Sequence, residues 1–145
     1  MVLLLETLLA FEDKAPLVRG IAGALGAGGR FACTLEEGSP LKGTERARMP
    51  DADTVWLTPL EELRGLLERV GLVVRWEEDQ SPSHAAMARS LHDAFAADAA
   101  AIAAQVGQQA LDELLAAHRL WIDWLESGRV RKIALVAERV PDPRG

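Results

Sequence analysis

The chain has 145 residues, enough for one domain with a real core, and its 49% apolar and 26% charged residues are ordinary globular values. A net charge of −6 argues against a nucleic-acid surface, which needs clustered Lys and Arg, and a single cysteine, Cys33, excludes an internal disulfide and fits a reducing compartment. The opening "MVLLLETLLAF" lacks a basic n-region, carries Glu6 in its middle and is too short to span a bilayer, so the expectation is a soluble cytoplasmic protein without membrane or nucleic-acid partners.

"VLLL" is a continuous apolar run, the pattern of a strand covered on both faces. In "EDKAPLVRGIAGALGAGG", Leu17, Ile21 and Leu25 recur every four residues, and Asp13 and Pro16 suit a helix start. Gly23, Gly26, Gly28 and Gly29 follow within seven residues. A phosphate cradle needs its glycines after a strand and opening a helix; here a helix precedes them and a strand follows, so a helix-ending turn is expected. "RFACTLEE" is that strand, with Phe31, Cys33 and Leu35 alternating against Ala32, Thr34 and Glu36.

From Gly38 to Asp53 the sequence turns polar, with prolines at 40 and 50, and reads as a loop of the length often used for lids or binding segments. "TPLEELRGLLERVG" is a second helix, with Thr58 as N-cap, Pro59 at the first position, Glu61 completing a capping box, and Gly71 ending it. Leu60, Leu63, Leu67 and Val70 form its stripe. "LVVRWEED" is a strand with one wetter face. A helical stretch from about Ser83 to Val106 places Met87, Leu91, Phe95, Ile102 and Val106 along one side. After Gly107 another helix runs to about Ser127, with Gly128 as C-cap. Its stripe of Leu111, Leu114, Leu115, His118, Trp121, Ile122 and Leu125 is widened by Leu120 and Trp124, so the helix is either sandwiched or meets another chain.

"RVRK" reads as solvated strand-end charge, and "RKIALVAERV" as a strand apolar on both faces, hence central; "PDPRG" is a frayed tail. Strands alternating with helices predict a three-layer α/β sheet of four strands, with the last strand central because it is apolar on both faces. His84, His92 and His118 show no metal-site spacing, and no metal is expected.

Four pieces in this order resemble the C-terminal half of a class I S-adenosylmethionine-dependent small-molecule methyltransferase. "LLLETLLAFEDKAPLVRGIAGALGAGGRF" is similar to the family's fourth strand, ligand-facing loop, next helix and the Gly-Gly turn into strand five, with Ala27 in place of the usual proline. "LTPLEELRGLLERVGLVVRWEED" is similar to the following helix and sixth strand, and "GRVRKIALVAER" to the closing antiparallel strand. The resemblance implies a partial Rossmann-like methyltransferase sheet with an inserted helical pair, its four strands ordered 1, 2, 4, 3 and the last antiparallel between the second and third. Within a single 1–145 domain fragment, 1–80 and 128–140 form the sheet and its flanking helices, and 83–127 a helical insertion covering the substrate.

The family's Gly-rich cofactor loop and the acidic residue ending its second strand have no counterpart, since the resemblance starts inside the fourth strand. The resemblance therefore implies the substrate side of the enzyme, S-adenosylmethionine as cofactor, and weak cofactor binding by this chain alone. It places Glu6, Thr7 and Leu9 in the loop approaching the cofactor. Glu36 ends the second strand on the same edge and could bind a cationic or hydroxylated substrate, with Thr34 beneath it. Trp56 and Trp121 are further candidates for the substrate wall. His84, after a strand-ending loop, is the candidate base.

Two functions remain open at this point: methyl transfer to a small molecule, catalytically complete only with the missing half, or a non-catalytic small-molecule-binding or dimerisation module derived from that fold. Self-association as a homodimer, or pairing with a chain supplying the missing half, is expected, because "VLLL" would expose a sheet edge without charge, proline or bulge.

Overall fold

A computed structural model describes residues 1–141. Of the expected tail "PDPRG", 142–145 lie outside the described residues. Four strands, β1 (Val2–Leu4), β2 (Arg30–Glu37), β3 (Leu72–Asp79) and β4 (Arg131–Arg139), form one sheet in the order β1-β2-β4-β3. β1 runs parallel to β2, whereas β4 is antiparallel to both β2 and β3. This is the expected topology, and its cause is the residue pattern of β4. Ile133, Leu135 and Ala137 are buried on one face and Lys132, Ala134 and Val136 occupy the other, so only an interior position satisfies both.

Two helices cover the first face: α1 (Ala15–Ala24) and α3 (Leu60–Arg69). Val18, Ile21 and Leu25 from α1 and its C-cap, with Leu60, Leu63 and Leu67 from α3, pack onto Phe31, Cys33, Leu35, Ile133 and Leu135 as one core. Burial of Cys33 pushes its thiol up to about 12, so it serves there as a small apolar side chain.

The glycine turn between α1 and β2 is a structural joint. Gly28 sits at φ 74°, and a Cβ on Gly29 would lie 2.8 Å from the Gly26 carbonyl. Its backbone exchanges hydrogen bonds with β4: Gly28 N–H donates to Arg139 O, and Arg139 N–H to Gly29 O, each at 2.8 Å. α1 ends at Ala24 with Leu25 as its C-cap, so Gly23 lies inside the helix and Gly26, Gly28 and Gly29 beyond it. The N-terminus of α3 also differs from expectation. Pro59 is its N-cap with no side-chain cap bond, because Thr58 is drawn back into a bridge with Glu37.

The other face is covered by α4 (Ser81–Ala97), α5 (Ala99–Val106) and α6 (Gln108–Ser127). The stretch expected as one helix to Val106 is interrupted at Asp98, which caps both α4 and α5. The polar segment after β2 is packed down more firmly than a free lid. It contains the short helix α2 (Gly43–Arg46), and its Leu41, Met49 and Val55 join Leu57, Leu120, Trp124, Leu125 and Val130 in a second core. Arg129 fastens it by a two-pronged hydrogen bond to Glu45, at 2.5 and 2.8 Å, and by a bond to Ser39 O. That pairing, with the Lys42 N–H, holds the Glu45 carboxyl down to about 2.

α6 is the sandwiched alternative of the two open for it. Leu120 and Trp124 face the second core, and Trp121 meets Trp124 edge-on at 5.5 Å. No helix among the described residues is long and apolar enough to cross a membrane.

Candidate functional site

The strands β1, β2 and β3 end on the same edge of the sheet, and β4 begins there. Open α/β sheets place ligands outside this edge, because chain reversals leave a crevice and unpaired backbone groups there. Glu6 immediately follows β1. Its φ of 53° is left-handed, a conformation that costs a non-glycine residue on the order of 1 kcal/mol. Three bonds hold it there. Its N–H donates to Thr34 Oγ1 at 2.9 Å, Thr34 Oγ1 donates to Glu6 Oε1 at 3.1 Å, and Lys132 Nζ donates to its carboxylate at 2.6 Å.

Lys132 is the centre of the arrangement. It stands directly opposite Glu36 in the β2–β4 register and is 1% exposed. Its ammonium bonds both Glu6 and Glu36 Oε1. The sequence reading of "RVRK" as solvated charge is therefore corrected for Lys132: the neighbouring Arg131 reaches outward to Glu37, and Lys132 points into the molecule. Its backbone is pinned as well, with Lys132 N–H donating to Ser81 Oγ at 2.9 Å and Gln80 N–H to Lys132 O at 2.7 Å. These bonds stitch the start of α4 to the start of β4.

Burial raises the Glu6 carboxyl, but the bonds and charge of Lys132, with help from Thr34 and His84, outweigh it and hold Glu6 below the usual carboxylate range. Glu36 is 7% exposed, and its Oε2 has no hydrogen-bond partner among the described residues. Lys14, also buried, spends its ammonium on the Phe11 and Trp56 carbonyls.

A cavity of about 240 Å³ opens over this cluster. Glu6, Glu36 and His84 form its polar end. Leu9, Met87, Leu91, Trp121 and Leu125 make an apolar wall, closed by His118. Met87 and Leu91, at 57% and 42% exposed, are large apolar groups left open on α4 because they line this space. His118 donates from Nδ1 to the Leu114 carbonyl at 2.8 Å, which fixes the neutral ring's tautomer with Nε2 as an acceptor.

Of the candidates read from sequence, Glu6, Leu9, Glu36, His84 and Trp121 come together here, and Thr34 supports Glu6 from below. Thr7 and Trp56 do not line the cavity. The Thr7 hydroxyl donates to Leu5 O. The Trp56 ring lies under the Arg46 guanidinium at 4.5 Å, with its Nε1 donating to Asp53 O. Sequence reasoning missed Lys132. The signal was available, since an antiparallel β4 beside β2 places the first residues of β4 against the last of β2, which makes Lys132 the cross-strand partner of Glu36.

S-adenosylmethionine, which the sequence resemblance implies, meets few open groups here. The Glu6 carboxylate is bonded to Lys132 and Thr34, Thr7 to its own loop, and the Leu9 carbonyl to Trp56 N–H. The Gly26–Gly29 turn is spent on Arg139. These residues do not by themselves make a site for that cofactor.

No protein-family model matches the sequence, and no curated protein matches it. Solved structures do match. Haemonchus contortus phosphoethanolamine N-methyltransferase 2, in complex with phosphomonomethylethanolamine and S-adenosylhomocysteine, is similar at a TM-score of 0.81 and 16% identity, over 97% of this chain and 33% of that one. A Galdieria sulphuraria protein assigned as a sarcosine dimethylglycine methyltransferase is similar at 0.83 and 15%, over 97% and 52%. The Mycobacterium tuberculosis cyclopropane synthase MmaA2 is similar at 0.84 and 10%, over 95% and 55%. This chain thus spans between a third and just over half the length of these structures. Its fold is that of part of an S-adenosylmethionine-dependent methyltransferase.

Proposed function

We propose that this chain forms the acceptor side of a methyltransferase acting on a small molecule, with S-adenosylmethionine as methyl donor held largely by polypeptide outside it. The observation that carries the reading is the cavity of about 240 Å³ at the carboxyl edge of β1 and β2, apolar on one side and charged at the other end. In this reading the helices within 83–127 cover the acceptor, Trp121 and Glu36 contact it, and Thr34 keeps Glu6 in place. His84 is positioned to take up a proton at the polar end. The chain's contribution is to orient the acceptor and exclude water, which is where much of the catalysis in such transfers resides. Thr7 and Trp56 have no part in it.

The test is to titrate the purified chain with S-adenosylmethionine by calorimetry and with a panel of small organic molecules by amide NMR. The expected result is little or no cofactor heat, and shifts from the small molecules at His84, Met87, Leu91 and Trp121. Micromolar cofactor affinity for the monomer, or a panel that never perturbs these residues, would overturn the proposal.

The free edge of β1 favours a second reading, in which the fold serves as an association module. β1 pairs only with β2 among the described residues, and Leu3 and Leu5 beside its free edge are exposed. Symmetric pairing along this edge would make a homodimer; a strand from a chain that completes the sheet would occupy the same place. Light scattering across a concentration series is expected to show a dimer, and a strict monomer at high concentration would remove this reading.

A further inference from the structure

We infer that the ligand of this cavity is a small organic amine, bound with its cationic nitrogen at Glu36 and its apolar substituents against Met87, Leu91 and Trp121. The inference rests on the acceptor-side reading above and names the chemical class of the acceptor. Its starting point is an imbalance. Lys132 serves two carboxylates, bonding Glu6 and Glu36 Oε1, and leaves Glu36 Oε2 buried without a partner. A buried carboxylate oxygen without a donor costs desolvation free energy that a native fold normally recovers elsewhere. Here nothing among the described residues recovers it, while the same side chain lines a cavity.

The charges around it point the same way. Glu6 and Glu36 share one ammonium, that of Lys132, so two carboxylates meet one bonded cation, with the imidazole of His84 at the same end of the cavity. Lys14 cannot make good the deficit, because its donors go to two backbone carbonyls. Glu6 is held ionised by Lys132 and Thr34. A ligand that brings one positive charge and at least one N–H would balance the cluster and satisfy Glu36 Oε2 with a charge-assisted bond. An anion would face two carboxylates. A neutral alcohol could donate one bond but would leave the charge uncompensated.

The opposite wall sets the rest of the molecule. Met87, Leu91, Trp121 and Leu125 offer carbon and thioether surface, and this wall asks for an apolar body. The cavity volume limits that body to roughly the size of one six-membered ring with a short arm, given the scale of drug-sized pockets.

Three probes of one shape separate the possibilities: cyclohexylmethylamine, cyclohexylmethanol and cyclohexanecarboxylate, titrated into the purified chain at pH 7 and followed by amide NMR. The amine is expected to bind at the cavity residues about tenfold or more tighter than the alcohol, as for a hydrogen bond to a charged group, and the carboxylate not to bind. E36Q should reduce the preference of amine over alcohol to near unity while leaving alcohol binding in place. L91W, at an exposed position on the apolar wall, should abolish binding of all three and serves as a folded control. Equal binding of amine and alcohol to the unmodified chain, or an amine preference that survives in E36Q, overturns the amine assignment and leaves the acceptor-side reading standing. Absence of all binding at the cavity overturns both.

Discussion

Replacing Lys132 by Met is expected to destabilise the chain by about 3–5 kcal/mol, the usual cost of removing one partner from a buried ion pair. The loss should appear as a fall in melting temperature of roughly 10 °C, since a domain of this size moves about 2–4 °C per kcal/mol. Lys132 is 1% exposed, and its methionine replacement would leave Glu36 as a buried carboxylate without any donor, while Glu6 on the rim could turn to water. The magnitude comes from the stranded charge and not from the pair's own net worth, and a second variant separates the two. Combining K132M with E36L removes both ions and fills the space with apolar groups, which should recover most of the lost stability. Amine binding should be absent from this double variant although it is folded. K132M within about 1 kcal/mol of the parent, or a double variant no more stable than K132M, would show that water already reaches this cluster and that its charges are not buried in the sense argued here.

The chain's architecture was legible because its signals are periodic. An apolar run for β1, the alternation of Phe31, Cys33 and Leu35, and the doubly apolar β4 are each set by burial on a sheet face, and burial is what the sequence records most directly. The site was half legible. Glu6, Glu36 and His84 are polar residues at strand or loop ends, and a strand end is a position that can be assigned once strand order is known. Lys132 was not assigned, because a basic residue beside two arginines looks solvated until the register pairs it with Glu36. Thr58 shows the opposite failure. It carries a good capping signature, but its bridge to Glu37 takes the backbone elsewhere, a tertiary contact overriding a local preference. Trp56 shows a third kind. A tryptophan at the end of a polar loop suggests a pocket roof, but the stacking partner Arg46 lies ten residues back in a helix of four residues that no periodicity could reveal.

The two cores carry a consequence for how the site is held. The core under α1 and α3 stabilises the sheet on one face, and the core around Trp124 holds α6, the α2 segment and the start of α4 on the other. Replacing Trp124 by Ala is expected to remove about 3–5 kcal/mol, as for other large buried aromatic truncations. The cost comes from a buried ring that packs edge-on against Trp121 at 5.5 Å and also has Arg129 above it at 5.9 Å. The loss should fall unevenly. α4 and α6 supply Met87, Leu91, His118 and Trp121 to the cavity and depend on the second core, whereas β2 and β4 keep their own core on the other face. Amide hydrogen exchange on W124A should therefore show protection falling in 81–97 and 108–127 well before it falls in Arg30–Glu37 and Arg131–Arg139. Binding of cyclohexylmethylamine should be lost with the helices, while strand circular dichroism persists. Lys132 sharpens the comparison, because its backbone bonds to Gln80 and Ser81 tie α4 to the sheet at one end and should keep the first turn protected longest. If protection in W124A falls together across helices and strands, the molecule is one cooperative unit and the cover over the site cannot open separately from the sheet beneath it.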